Sequence, residues 1–453
     1  MRRPPPPAPP APPVQPVVLG GDIGAYSLAR AAHEAYGVRS TLVSAVAAGP
    51  VAHSRAVEHV AQEGMKDPQV AVAALRRVAD DHEARGSGPL LLLGSTDGDV
   101  RLLVEHREQL EDRFLLPYVG RELLDRMTAK ESFGAVCAEL GIPTPRTVVV
   151  DVQKEARAAG GPGVDVGRTV DGGPPITFPA IAKTASTVAY ATVSFPGKLK
   201  VFTVRDQAEL DDLMDVLARA GYDGSFLVQD LVPGDDAGMR VLTCYCDTGS
   251  RVRFAAHGHV LLEEHTPGTL GNPAAILTGA GPEAAEATEQ ATRLLEHVGW
   301  TGYANFDLKM DPRTGRAVFF ELNPRLGRTN HYVTAAGQNP LELYVRELVQ
   351  GLDPLPPGAP ALAAEERLFT VLPPQLLLRY VGDPELRERV RGLVKAGHVA
   401  DPLRYGPDRD PRRWAYRAAY QLNQVRKYRT HYPLEQARSA RAQAEALVRG
   451  TGA

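Results

Sequence analysis

The stretch Tyr303–Arg328 reads YANFDLKMDPRTGRAVFFELNPRLGR. Asn305–Lys309 and Val318–Leu322 are rich in strand formers, and Asp311-Pro312-Arg313-Thr314-Gly315 between them carries turn chemistry. A hairpin folded symmetrically about Thr314 sets Asp307 directly opposite Glu321, with Asn323 two residues on and therefore on the same strand face. Facing side chains on adjacent strands lie roughly 5 Å apart, where two bare carboxylates repel. A hard divalent cation removes that repulsion, and oxygen-only ligands suit magnesium, with manganese as an alternative ion. The bland alternative is an exposed hairpin with solvated charges. Against it stand Phe306 and Phe319, which should be buried beside the acids, and Arg325, spaced to grip a phosphate or carboxylate.

The rest of the chain bounds what this hairpin can serve. A length of 453 residues exceeds one compact core and implies two or three domains. Hydrophobic content of 43% and charged content of 23% are those of a water-soluble globular protein, and a net charge of −3 argues against a dedicated nucleic-acid binder. Cys137, Cys244 and Cys246 form no disulfide or zinc spacing, so packing roles in a reducing cytoplasm are expected. No apolar run approaches the roughly 18 residues of a membrane span. The start, MRRPPPPAPPAPPVQP, lacks a signal-peptide core and reads as a polyproline-like tail, with an SH3-type ligand role as the sharper alternative.

Pro16–Gly20, Thr41–Val46 and Leu90–Leu93 read as buried strands alternating with helical stretches, the first from Ala25 to Tyr36, which implies a parallel α/β sheet. The turn Gly20-Gly21-Asp22-Ile23-Gly24 could hold a phosphate but departs from the G-x-G-x-x-G fingerprint. Thr128 and Glu131 are spaced as a capping box opening a helix that Gly141 closes. Arg157–Pro175 is Gly-, Val- and Pro-rich and is expected to be a loop. Further strands are expected at Thr147–Asp151, Phe178–Lys183, Lys200–Val204, Phe226–Asp230 and Met239–Cys246, and helices at Asp206–Ala220, at Pro282–Val298 and after Asn339-Pro340. Beyond Pro356-Pro357 the chain is arginine-rich, with Arg412, Arg413, Arg417, Arg426, Lys427 and Arg429 interleaved with Trp414, Tyr416, Tyr420 and Tyr428. Such a pattern can bind nucleic acid, but a helical cap with arginines stacked on aromatics and facing solvent is the plainer expectation.

There is no Walker A loop, since Gly197-Lys198-Leu199-Lys200 lacks its glycine and hydroxyl partners. Lys183, ending a buried strand, and Lys130, in a first helical turn, are the better phosphate candidates. In order along the chain, Asp125-x4-Lys130, Gly141-Ile142-Pro143-x-Pro145, Phe178–Lys183, Leu227–Gly234, Asn305-Phe306-Asp307 and Glu321-x-Asn323-x-Arg325 resemble the ATP-grasp superfamily over roughly residues 120–345. Gly21-Asp22-Ile23, Met239–Thr243, Leu261–His265 with Pro267, Gly271-Asn272 and Ala335-Ala336-Gly337-x-Asn339-Pro340 extend the resemblance to carboxylate–amine ligases of the D-aspartate ligase-like type.

The resemblance implies an α/β (α+β grasp) chain: a tail over 1–15, a parallel α/β unit over 16–120, a two-subdomain ATP-grasp unit over 121–355 and a mainly helical extension over 356–453. It implies that Lys130 and Lys183 neutralise ATP phosphates, and that Gln229 and Asp230 line the adenine pocket with the backbone of Leu231 and Val232. Asp235 or Asp236 would hold the ribose, and Asp307, Glu321 and Asn323 the magnesium. Arg325 would steady the transferring phosphoryl group, and Arg240 and Arg328 would take a substrate carboxylate, which a planar guanidinium can pair bidentately. One departure from the family pattern is Thr184–Thr192, which has hydroxyls where a glycine-rich phosphate-covering loop is usual. The implied reaction joins a small-molecule or peptide carboxylate to an amine through an acyl phosphate, and a homodimer is compatible with it. The rivals are an ATP-grasp carboxylase or other synthetase, and an inactive nucleotide-binding regulator.

Overall fold

Four short strands, β1 (Gln15–Leu19), β2 (Ser40–Ser44), β3 (Val57–Ala61) and β4 (Leu90–Gly94), pair in parallel in the order β3-β2-β1-β4, all but the edge strand β3 buried almost throughout. Helices α1 (Ile23–Tyr36), α2 (Pro68–Ala84) and α3 (Asp97–Glu105) connect and cover them, as buried parallel strands require. Asp22 caps α1 by accepting from the Ala25 N–H at 2.9 Å, so the Gly-Asp-Ile-Gly turn serves a helix start. The computed structural model describes residues 13–47, 49–157, 164–167, 169, 173–185, 189–190, 192–356 and 361–450. Residues 1–12 of the proline-rich tail, much of Arg157–Pro175, and Ser186, Thr187, Val188 and Ala191 lie outside them.

Two short helices, α4 (Arg121–Thr128) and α5 (Lys130–Glu139), lead into the grasp. The expected capping box is absent. The Thr128 hydroxyl donates back to the Leu124 carbonyl at 2.8 Å, closing α4, and α5 starts from Ala129 with no side-chain cap. Gly141, at φ 65°, does close α5, with the Ile142 N–H returning to the Cys137 carbonyl at 2.8 Å.

The first jaw is the antiparallel sheet β5 (Thr147–Asp151), β6 (Ala180–Thr184), β7 (Val201–Val204) and β8 (Ser225–Asp230), in the order β5-β8-β6-β7. Helices α6 (Val152–Arg157) and α7 (Gln207–Arg219) accompany it. Tyr190 packs edge-on against Tyr222 and Phe226 in its core and donates to the Leu199 carbonyl at 2.6 Å. This aromatic is therefore anchored to the small sheet.

The second jaw is a seven-stranded sheet in the order β13-β12-β9-β10-β11-β14-β15. Its strands are β9 (Met239–Cys246), β10 (Val252–Glu263), β11 (Pro273–Thr278), β12 (Gly302–Asp311), β13 (Arg316–Asn323), β14 (Leu368–Thr370) and β15 (Val399–Ala400). Helix α8 (Pro282–Val298) packs on one face. The region after residue 356 thus adds two strands to this sheet as well as helices. Those helices, after α9 (His331–Ala335) and α10 (Pro340–Tyr344), are α11 (Pro374–Tyr380), α12 (Pro384–Ala396), α13 (Pro411–His431) and α14 (Leu434–Gly450). Arg413 corrects the expectation of solvent-facing arginines: it is 3% exposed, lies 4.6 Å above the Tyr26 ring, and pairs with buried Asp408 at 3.1 Å. Cys137, Cys244 and Cys246 are all buried and free. Among the described residues no helix is long and apolar enough to cross a membrane.

Candidate active site

The β12–β13 register places Asp307 opposite Glu321 and Asn305 opposite Asn323, with a bulge just after Asp307. On the other face of the hairpin Phe306 and Phe319 are fully buried with ring centroids 5.4 Å apart, which fixes the acids on the cleft side. The Asn323 amide donates to Asp307 Oδ2 at 3.2 Å, and Lys130 Nζ lies 2.9 Å from Glu321 Oε2. The Lys130 charge holds Glu321 down to about 2, whereas burial and the Glu321 charge push Asp307 up to about 7. Among the described residues no three His, Cys, Asp or Glu side chains converge; the hairpin offers two carboxylates and a carboxamide.

Lys183 reaches the same place from β6, above the Phe320 ring at 5.9 Å. Burial and the neighbouring Lys130 charge lower its ammonium to about 7. Two half-buried lysines facing two carboxylates leave a site built for a polyanion with its counter-ion.

These groups line a cleft of about 550 Å³ between the two sheets. Gln229, Asp230, Leu231 and Val232 cross its hinge side, with Ile181 and Val201 from one jaw and Met239 and Val241 from the other. Gln229 donates to Thr147 Oγ1 at 2.8 Å. The Asp230 carboxylate is held by Arg146, which leaves the hinge backbone to meet a ligand.

Three expected positions need correction. Asp235 caps the turn Asp236–Gly238 and pairs with Arg441 at 2.9 Å. Asp236 accepts from the Glu263 N–H at 2.9 Å and lies 2.8 Å from His265 Nε2. Neither is among the residues that line the cleft, because the turn commits both carboxylates to protein partners. Arg240 is 7% exposed and bonded to Glu283, to the Ala237 carbonyl at 2.8 Å and to the Met239 carbonyl at 2.8 Å. Its neighbours Met239 and Val241 line the cleft, so strand alternation sends Arg240 to the opposite face.

Arg325 and Arg328 do line the cleft. Arg325 grips Asp97, at the start of α3, through Nε at 2.8 Å and Nη2 at 3.0 Å. Arg328 gives Nη1 to Glu264 at 3.0 Å. Sequence reasoning missed Asp97, Glu263, Lys309 and Asn305 in the cleft wall. Lys309 was legible, two residues beyond Asp307 on one strand. Glu263 ends a strand whose run of buried residues gives no alternation to read; burial and the Asp236 charge push its carboxyl up to about 8.

A nucleotide-sized cleft between a small antiparallel sheet and a larger, mostly antiparallel one, with paired lysines above an Asp/Glu/Asn hairpin, defines an ATP-grasp ligase. The comparisons place it further. Over 422 residues, 93% of this chain and 97% of the relative, it is 30% identical to the D-aspartate ligase of Enterococcus faecium (strain Aus0004). The D-alanine–D-alanine ligase B of Xanthomonas campestris pv. campestris is 27% identical over 270 residues, covering 56% of this chain and 72% of the relative. Among solved structures, the L-amino acid ligase from Bacillus licheniformis superposes with a TM-score of 0.50 at 14% identity, over 74% of each chain. The N5-carboxyaminoimidazole synthetase from Staphylococcus aureus, solved with ADP, gives 0.51 at 12% identity, over 78% of this chain and 81% of that one. No family model matches. The chain belongs to the D-aspartate ligase family of ATP-grasp enzymes. It is an ATP-dependent carboxylate–amine ligase.

Proposed function

We propose that the enzyme activates an amino-acid carboxylate, D-aspartate being the first candidate, as an acyl phosphate and transfers it to an amine. The observation that carries this reading is Asp307 facing Glu321 across the hairpin with Lys130 and Lys183 above them. A carboxylate oxygen attacks the γ-phosphorus of ATP and ADP leaves. The amine nitrogen then attacks the acyl carbon, phosphate leaves, and the nitrogen loses a proton.

Lys130 and Lys183 would neutralise the phosphates, and the Leu231–Val232 backbone beside Gln229 and Asp230 would receive the adenine. Asp307, Glu321 and Asn323 fit a hard divalent cation: all three offer oxygen, and burial and the facing Glu321 charge push Asp307 towards neutrality. Magnesium held there would supply neutralisation of the β- and γ-phosphate charge. Arg325 would meet the transferring phosphoryl group, and Arg328 the substrate carboxylate. Three buried free thiols support a cytoplasmic enzyme.

The test is ADP release from magnesium–ATP with D-aspartate and hydroxylamine, an amine that traps an acyl phosphate as a hydroxamate. Hydroxamate formed in step with ADP supports the reading. Bicarbonate-dependent ADP release without hydroxamate contradicts it in favour of a carboxylase.

A further inference from the structure

The extension beyond residue 400 packs against the end of β10, next to the cleft residue Glu263. Along α13, Tyr416, Tyr420, Gln424 and Tyr428 follow one another at steps of four residues and so form one slowly turning stripe. The stripe sinks into the molecule: Tyr416 and Tyr420 are half-buried, Gln424 is 1% exposed and Tyr428 is 2% exposed. Tyr428 donates to the Glu263 carbonyl at 2.5 Å, and Gln424 and Tyr428 share the walls of a small crevice with Glu264 and His265. One step further, Tyr432 stacks on His265 with centroids 3.4 Å apart and planes 6° apart. The end of β10 and the residues just after it are thus held to α13 and its C-terminal flank at Glu263 and His265.

Glu264 lies between the two anchored residues. It is 2% exposed, Oε1 accepts from Arg328 Nη1 at 3.0 Å, and Oε2 has no protein partner among the described residues. Arg328 is thus its one ionic partner among the described residues. Nη1 is also the one Arg328 side-chain donor with a protein partner among the described residues. The remaining guanidinium edge is left for a ligand carboxylate in the cleft. The Arg328 backbone is fixed independently, because a Cβ on Gly24 of α1 would meet its Cα at 3.1 Å. The Tyr420 hydroxyl is near enough to both Glu264 and Arg328 for their charges to bear on it.

We propose that the Tyr420–Gln424–Tyr428 stripe of α13, acting through Glu264, is a positioning device that aims the Arg328 guanidinium at the carboxylate of the amino-acid substrate. It rests on the reading of Arg328 as the carboxylate-binding arginine. Glu264, Tyr420 and Gln424 are positioning residues, and the extension is part of the substrate site.

The test is steady-state kinetics of Glu264→Gln and Tyr420→Ala with magnesium–ATP, D-aspartate and hydroxylamine, with Leu422→Ala on the exposed side of α13 as control. In both variants KM for D-aspartate rises roughly tenfold, while KM for ATP and kcat stay within about twofold, because an interaction made equally in ground and transition states moves KM alone. Adding Glu264→Gln to Arg328→Lys brings no further rise, since both act on one contact. The two readings fail separately. Arg328→Gln with an unchanged KM for D-aspartate overturns both; a raised KM in Arg328→Gln with Glu264→Gln and Tyr420→Ala both silent overturns this proposal alone. Parallel losses in KM for ATP, kcat and melting temperature also overturn it, because they describe a merely structural brace.

Discussion

Asp408→Ala should loosen the whole C-terminal extension. Asp408 is 3% exposed and accepts from Tyr26 Oη at 3.0 Å, Ser54 Oγ at 3.0 Å, the Arg55 N–H at 2.7 Å and Arg413 Nε at 3.1 Å. Three of those donors belong to the N-terminal α/β unit and the fourth to α13, so one carboxylate joins regions more than 350 residues apart. Removing it leaves the Arg413 guanidinium, itself 3% exposed, buried without its counter-charge. Breaking a buried pair from one side costs about 3–5 kcal/mol. At roughly 2–4 °C per kcal/mol for a large domain, the melting temperature should fall by about 6–20 °C. Differential scanning calorimetry checks the size. Asp408→Asn keeps the shape and an acceptor oxygen and should fall between the two. A shift below about 2 °C for Asp408→Ala would refute the view that this carboxylate holds the extension in place.

Further outcomes are open to measurement. Lys183 is lowered to about 7 by burial and Lys130, so its charge is lost as pH rises through that value, and bound phosphate restores it. KM for ATP should therefore climb from about pH 7 to about pH 9, by up to roughly tenfold per unit, and Lys183→Arg should flatten the climb; a flat wild-type profile contradicts this. Arg240→Ala should lower the melting temperature by breaking the Glu283 pair, yet leave the ratio of KM for D-aspartate to KM for ATP unchanged. A selective rise in KM for D-aspartate would return Arg240 to the substrate site. Native enzyme should resist thiol reagents, because burial pushes Cys137 and Cys244 up to about 12; rapid labelling of either contradicts their packing.

The hairpin was legible because its physics is local. Turn residues, alternation and two phenylalanines bring Asp307 opposite Glu321, and the structure has that pair, although nearer the turn Leu308 faces Phe319 and Asp311 faces Arg316, one residue off symmetry about Thr314, and the bulge after Asp307 makes up the difference. Helix α8 and the Gly141 cap were legible for the same reason. What escaped was set at long range. Asp235 and Asp236 read as free carboxylates beside a hinge, but their partners are Arg441 and His265. Thr128 could serve the turn before it or the helix after it, and spacing alone does not choose. The β10 run VRFAAHGHVLLE is buried nearly throughout, so the alternation that reveals a half-exposed strand is missing, and Glu263 and Glu264 were lost with it as site residues.

The central claim is that the β12–β13 hairpin is the metal end of an ATP site in a carboxylate-activating ligase. Its most direct test is coupled ADP and hydroxamate production from magnesium–ATP, D-aspartate and hydroxylamine by wild type and Glu321→Ala, with circular dichroism to check the fold. Stoichiometric ADP and hydroxamate from wild type, with neither from a folded Glu321→Ala at saturating magnesium, is the expected result. Near-normal turnover in that variant would contradict the account.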